Sequence, residues 1–338
     1  MVGQTQPTVS VVVPTRNRAE SLERMLRSLG QVNYPRDRGE VIVVDDGSHD
    51  ATGKLVETLQ AEFPFVLRYV YQAAAGVAAA RNRGYHTAKG EVIVFVDDDC
   101  LFEPGWLLHL VSGLMQPQVG AVGGPDRELG QASFLARCID WTVTSFVGTG
   151  NVRGGRRFRV ARYYPRSFNM AARRQALDKV GGFDLTLPYG EDIDLSYRIR
   201  KAGYALACVP AAAVWHHRRA SLPSFMRQIF IRGATRMELV RRHRGLLEPA
   251  YLVPAAIVVL IPLLLGLSWS SQLPWTVTGV LAGAYGAGLC WEGSRAARAL
   301  KLWRAGVLVG ILLLLQHLAY GAGFWRAVIS PLRVSARA

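Results

Sequence analysis

The sequence predicts an α/β fold with a parallel sheet at its N-terminal end and membrane-embedded helices at its C-terminal end. Three observations predict it. Short apolar runs rich in β-branched residues alternate with helical stretches before residue 125, acidic clusters close two of those runs, and Pro249–Trp291 contains no charged residue.

The elements follow in order. Val9–Thr15 (VSVVVPT), Glu40–Asp46 (EVIVVDD), Phe65–Tyr71 and Val92–Asp97 read as strands, and Glu20–Leu29, Ala51–Glu62 and Gly76–Ala88 as the helices between them. Near-continuous apolar strands alternating with helices indicate a parallel sheet covered on both faces. In such sheets ligands gather beyond the carboxyl ends of the strands, so the polar clusters there are the candidates for chemistry. Further on, Gln131–Phe146 has helical character, and the Gly/Arg-rich loop Gly148–Arg159 is a candidate cover for an acceptor site.

Composition separates two regimes. Half of the 338 residues are apolar, too many for an ordinary soluble enzyme and too few for a channel. The net charge of +15 favours an anionic partner: nucleic acid, acidic lipid or a phosphorylated substrate. Cys100, Cys138, Cys208 and Cys290 are scattered without a CxxC pair. They read as buried apolar residues in a reducing compartment, not as a zinc site or disulfide framework. Met1–Thr8 is polar and shows no secretory signal, which keeps the N-terminal domain in the cytoplasm.

Three membrane spans are expected, at about 250–267, 275–291 and 305–325, each near the length of about 20 apolar residues that a bilayer core requires. The turn-forming Ser268–Pro274 separates the first two. Trp269, Trp275, Trp291, Trp303 and Trp325 sit at the ends of these runs, where amphipathic rings settle at a membrane surface. Arg241, Arg242 and Arg244 precede the first span, and Arg295, Arg298, Lys301 and Arg304 lie between the second and third. Positive-inside logic then puts both segments and the N-terminal domain on the cytoplasmic side of a multi-pass cell-membrane protein. Arg326, Arg333 and Arg337 in the tail argue mildly against a third full crossing. Before the spans, Leu222–Arg244 reads as an Arg-rich interfacial helix. Met226, Phe230, Met237 and Val240 would face lipid and the arginines anionic head groups. The expected division is a catalytic domain over 1–220, the interfacial helix over 221–248 and the membrane region over 249–338.

Each polar cluster has two readings. Asp97, Asp98 and Asp99 follow the run VIVFV directly, and three adjacent carboxylates repel unless a cation or strong donors neutralise them. Hard divalent ions, Mg²⁺ or Mn²⁺, take such oxygens and bridge to substrate phosphates; the alternative is a solvated acidic turn with Asp99 capping a helix. Asp45-Asp46-Gly47-Ser48 is either a turn with a helix cap or a carboxylate tip that accepts a hydrogen bond from a nucleobase. Arg81 either forks onto phosphate oxygens or makes a surface salt bridge.

Taken in order, VVVPTRNR, VVDDGS, AARNRG, FVDDDC, then GGFD (Gly181–Asp184) and EDIDLSYRIRKAGY (Glu191–Tyr204) make a set far more specific than any member. The set resembles the inverting glycosyltransferases of family 2, which have the GT-A fold, over roughly residues 8 to 220. The resemblance implies that Pro14, Thr15 and Arg16 line the nucleotide pocket, that Asp46 contacts the base and that Arg81 lies near the diphosphate. Asp97 and Asp99 match the outer positions of the DxD signature, where the metal bridges to the donor diphosphate, and Asp98 occupies the variable middle position on the substrate side. Glu191 and Asp192 match the ED pair, with Asp192 the implied general base; capping of its helix is the competing role. Asp194 and Arg198, four apart, read as a helix-surface pair. In metal-dependent members a histidine near His216 completes the cation's coordination, and the adjacent His217 could serve instead.

The implied reaction moves one sugar from a UDP-, GDP- or dTDP-sugar to a lipid-linked or glycan acceptor, with a divalent metal as cofactor. Gln228–Arg232 resembles the QxxRW element of processive relatives but has an extra residue and no tryptophan, which favours single-sugar transfer. Two rivals remain. A membrane-associated nucleotidyltransferase would release pyrophosphate, but no glycine-rich phosphate loop is present. A non-catalytic basic membrane scaffold would tolerate loss of Asp99 or Asp192. Nucleic acid is not expected as a partner, because no aromatic platform accompanies the basic residues.

Overall fold

A computed structural model of the chain describes residues 6–128, 133–149, 163–216 and 221–330. These residues divide into two units: 6–128 and 163–216 belong to the first, and 133–149 with 221–330 to the second.

The first unit begins with four strands: β1 (Val9–Thr15), β2 (Gly39–Asp46), β3 (Val66–Gln72) and β4 (Val92–Val96). Helices α1 (Ala19–Leu29), α2 (Thr52–Gln60) and α3 (Val77–Thr87) alternate with them. The strand pairs β1–β2, β2–β3 and β1–β4 are parallel, as the alternation predicts. Every residue of β1 and β4 is buried, because helices cover both faces. The period of two divides them: Val11, Val13 and Val94 pack with Leu22, Met25 and Leu26 of α1, whereas Val12, Ile93 and Phe95 pack with Ala80 and Tyr85 of α3. Gly84 permits the close approach of α3, since a Cβ there would lie 2.3 Å from Val12 Cγ1.

Beyond β4 come β5 (Leu101–Phe102), α4 (Trp106–Gly113), β6 (Val119–Gly123) and β7 (Asp126–Glu128). Helices α5 (Phe134–Thr144) and α6 (Phe146–Thr149) follow, where the sequence predicted one helix over 131–146, and belong to the second unit. The chain then returns through β8 (Asn169–Arg173), α7 (Arg174–Val180), α8 (Glu191–Lys201), β9 (Ala205–Cys208) and β10 (Val214–His216).

The main sheet has seven strands in the order β3-β2-β1-β4-β8-β6-β9, and β5-β10-β7 form a small second sheet. The sheet is mixed, not wholly parallel, because β8 runs antiparallel to both β4 and β6. Its first residue, Asn169, pairs with Val96 at the carboxyl end of β4. That reversal delivers residues 163–168 to the ligand edge. Asn169 pins the entry: its side chain accepts from Trp106 Nε1 at 3.0 Å and donates to the Ala212 carbonyl at 2.7 Å.

The second unit is helical, with α9 (Leu222–Arg242), α10 (Pro249–Trp269), α11 (Trp275–Leu300) and α12 (Trp303–Ile329) beside α5 and α6. Among the described residues two helices, not three, are long and apolar enough to cross a membrane: Tyr251–Trp269 and Trp303–Ile329. The segment expected to span 275–291 lies in α11, which is rich in glycine and alanine and runs on through Glu292, Arg295 and Arg298. Glu292 is buried there, accepting from Trp141 Nε1 at 3.0 Å and pairing with Arg295 at 2.9 Å. Helix α10 exposes Leu252, Val253, Leu260, Ile261 and Leu263, a surface suited to lipid.

Helix α9 has one face packed within the second unit. Phe225, Ile229, Gly233 and Leu239 are buried, and Gly233 and Gly323 bring α9 and α12 into backbone contact. Met226, Met237 and Val240, expected to face lipid, are half-buried, and Phe230 is exposed. The four cysteines are free thiols; Cys100 and Cys138 are buried as expected, but Cys290 is exposed on α11. His217 and most of the segment 148–159 lie outside the described residues.

Candidate active site

The site forms where the buried strand β4 ends. Asp97, Asp98 and Asp99 follow it directly, and the structure gives them different surroundings. Asp98 is buried, accepting from Thr15 Oγ1 at 2.8 Å and from Arg18 Nη1 at 2.5 Å. Burial pushes its carboxyl above the ordinary value, and these two donors offset only part of that. Asp97 and Asp99 remain 38% and 34% exposed. Each has one oxygen near a guanidinium: Asp97 at 2.9 Å from Arg81 and Asp99 at 3.3 Å from Arg18.

Two half-open aspartates are suited to a hard cation. Among the described residues no group of three or more His, Cys, Asp and Glu side chains is placed to hold a metal. The protein therefore offers a partial set of oxygen donors, and a Mg²⁺ or Mn²⁺ held by Asp97 and Asp99 would fill its coordination from substrate oxygens and water. His216 is the last residue of β10, in register with Glu128 of β7.

Arg81 on α3 is the hub of the site. Only 4% exposed, it donates from Nη2 to Asp97 and from Nη1 to Glu191 at 2.7 Å. The sequence reading placed it near a diphosphate. Here both terminal nitrogens are engaged by carboxylates, so it joins the end of β4 to the start of α8. Glu191 follows Gly190, whose left-handed φ of +79° allows the sharp entry into that helix. Burial, and then the adjacent Asp192 charge, push the Glu191 carboxyl above its ordinary range against the pull of Arg81. Asp192 accepts from Arg166 Nε at 3.0 Å and from the Ile193 N–H at 2.7 Å. Asp194 pairs with Arg198 at 2.7 Å as expected, although the aspartate is buried and not on the surface.

One strand over, both oxygens of Asp46 are engaged. Oδ1 accepts from Gln72 Nε2 and the Ala75 N–H, each at 2.8 Å, and Oδ2 from the Gly76 N–H at 2.9 Å. Asp46 thus shapes the loop leading into α3. Asp45 accepts from the Ser48 N–H and from Tyr69 Oη, both at 2.7 Å. Pro14 and Thr15 are buried at the end of β1, and Arg16 just beyond it is exposed.

The structure thus links Asp97, Arg81, Glu191 and Asp192 on one side and Thr15, Arg18, Asp98 and Asp99 on the other. Arg18 and Arg166, which contacts Asp192, are not among the residues expected from the sequence. Arg18 lies inside the quoted VVVPTRNR motif, and its position just past the strand end was a usable signal. Arg166 had none, because only the reversed direction of β8 brings it to Asp192.

Comparison with known proteins shows the family of the chain and the likeness of its fold. The model of the family "Glycosyl transferase family 2" matches residues 10–181. The probable glycosyltransferase YdaM of Bacillus subtilis is 31% identical over 66% of this chain and 53% of its own, so the chain spans about half the length of that relative. The succinoglycan biosynthesis protein ExoA of Rhizobium meliloti is 24% identical over 96% of both chains. In fold, the chain is similar to the mannosyltransferase PcManGT of Pyrobaculum calidifontis, solved with GDP-Man and Mn²⁺. The TM-score is 0.65 at 22% identity, over 92% of this chain and 86% of that one.

Proposed function

The chain belongs to glycosyl transferase family 2, and from that premise we propose that it transfers a single sugar, with inversion, from a nucleotide-diphosphate sugar to a lipid-linked acceptor at the cytoplasmic membrane face. Its fold is GT-A-like and it is a glycosyltransferase. The observation that carries the finer reading is the continuous ion-paired path from Asp97 through Arg81 to Glu191, beside Asp192.

In this reading Asp97 and Asp99 would hold a divalent metal, and when bound it would supply positive charge against the departing diphosphate. Inversion is a single displacement. An acceptor oxygen bonds to the anomeric carbon as the bond to the diphosphate breaks, and Asp192 takes the proton of an attacking hydroxyl. Arg81 holds the metal strand and the base helix at a fixed spacing, so that donor and acceptor meet in reacting geometry. Asp46 presents the Ala75–Gly76 backbone to the nucleobase, with Pro14, Thr15 and Arg16 along the same edge. The apolar helices α10 and α12 support a lipid-linked acceptor, and the basic segments 241–244 and 295–304 support a cytoplasmic catalytic unit.

The test is binding of UDP-, GDP- and dTDP-sugars to the detergent-purified chain with and without Mn²⁺, beside Asp99→Ala. Metal-dependent binding of one donor class, lost in the variant, is expected. Release of nucleoside diphosphate on adding a lipid extract completes it. Absence of binding by folded protein, or transfer only to soluble acceptors, overturns the reading.

A further inference from the structure

The helical unit contains a guanidinium whose surroundings call for an anion. Arg236, on α9, stacks on Tyr251 at the start of α10, with Cζ 3.7 Å from the ring centroid. The phenol of Tyr320, on α12, lies beside the same guanidinium. Arg236 Nη1 and Tyr320 Oη are both buried, with no hydrogen-bond partner beyond each other, and no carboxylate among the described residues pairs with Arg236. Glu238, two residues on, faces Arg241 and Arg242 instead, each at 3.6 Å.

A buried guanidinium whose neighbour is a neutral phenol, and not a carboxylate, keeps its charge uncompensated, which is costly. The arrangement is held firmly in place. Gly233, one turn before Arg236, packs against the Tyr320 backbone, where a Cβ would lie 2.0 Å from the carbonyl oxygen. As whole residues the three are half-buried, while Arg236 Nη1 and Tyr320 Oη themselves are buried.

The neighbourhood indicates the source of the anion. The start of α10 meets the C-terminal third of α12: Trp325 Nε1 donates to the Ala255 carbonyl at 2.8 Å, and Gly321 packs on Pro254. Tyr251, Tyr320, Trp325 and Arg326 therefore collect at one end of two apolar helices, the level at which aromatic and cationic side chains meet lipid head groups. We propose that Arg236 and Tyr320, with Tyr251 as the stacking platform, bind a phosphate oxygen of a membrane lipid. The proposed lipid-linked acceptor is the candidate occupant, and only that identity rests on the reading above.

The full chain in detergent is titrated with farnesyl phosphate, farnesol and inorganic phosphate, reading tryptophan fluorescence. Farnesyl phosphate alone is expected to bind. Arg236→Gln should weaken it about 10- to 100-fold, the loss of one charge-assisted hydrogen bond. Tyr320→Phe, which keeps the ring and its packing, should weaken it about threefold to tenfold. Equal binding by both variants overturns the site, as does equal affinity for inorganic phosphate, which would make it a site for the free anion. No binding, with variants that melt like the wild type, overturns it in favour of a trapped water. Sugar transfer to farnesyl phosphate is measured separately. Binding without transfer rejects this acceptor and retains the site; transfer with an unchanged KM in Arg236→Gln rejects the site and retains the acceptor.

Discussion

Replacing Arg81 tests whether the path from metal strand to base helix is a structural necessity. Arg81→Met keeps much of the side-chain volume and removes the charge shared by Asp97 and Glu191. The two arms are unequal. Glu191 is 14% exposed and Asp97 38%, so solvent screens the second pair, which contributes about 0–1 kcal/mol. Orphaning the buried Glu191 costs about 3–5 kcal/mol, because its carboxylate is left without compensation. For a unit of this size each kcal/mol moves the melting temperature by about 2–4 °C, so a fall of about 6–20 °C is expected. Adding Glu191→Gln removes the stranded charge and should recover part of the loss. The assay is thermal unfolding in detergent with Mn²⁺-dependent donor binding alongside. If Arg81→Met and the double variant both melt within a degree of the wild type, the buried-pair argument is wrong.

Three further outcomes follow from separate features. Asp99→Asn should weaken Mn²⁺-dependent donor binding by about 10- to 100-fold or more while leaving the melting temperature nearly unchanged, since the residue is one-third exposed; EDTA should mimic it. Gly323→Ala puts a Cβ 2.0 Å from the Phe230 carbonyl and should cost about 1–3 kcal/mol, whereas Gly279→Ala, with open space around it, should not destabilise; thermal melts compare the two. Burial alone would raise the Glu40 carboxyl, but hydrogen bonds from Ser10, the Lys89 N–H and Arg68 outweigh it and hold the group below the ordinary value of 4.5. Its stabilisation is therefore fully present above pH 4.5 and lost as pH falls through the lowered value, and Glu40→Gln should flatten that acid limb in pH-dependent melts.

The strands and helices of the first half were legible because a strand buried on both faces has a strong signature: β1 matches its expected limits, Val9–Thr15, and β2 differs from its expected span by one residue. Strand direction was less legible. Nothing local in NMAAR says that β8 runs backwards, and Arg166 reaches Asp192 only because it does. Helix α11 is less apolar than its lack of charge over 275–291 suggests, because glycine and alanine contribute little hydrophobic surface. On α9 the buried seam centres on Gly233, a residue that no hydrophobic pattern selects.

The run of three aspartates illustrates how burial assigns roles that residue type leaves open. Side by side, three carboxylates at a buried strand end would repel strongly. The protein relieves this unequally, with Arg18 and Thr15 satisfying Asp98 inside the fold and Arg81 taking one oxygen of Asp97. What remains is a pair of partly exposed oxygen donors, Asp97 and Asp99, separated by a residue that cannot turn outward without stranding Arg18 and Thr15. Arg18 contacts both Asp98 and Asp99, so it couples the internal brace to an outer donor. Arg81 does the same on the other side, coupling Asp97 to Glu191. The two arginines thus position the open carboxylates from within.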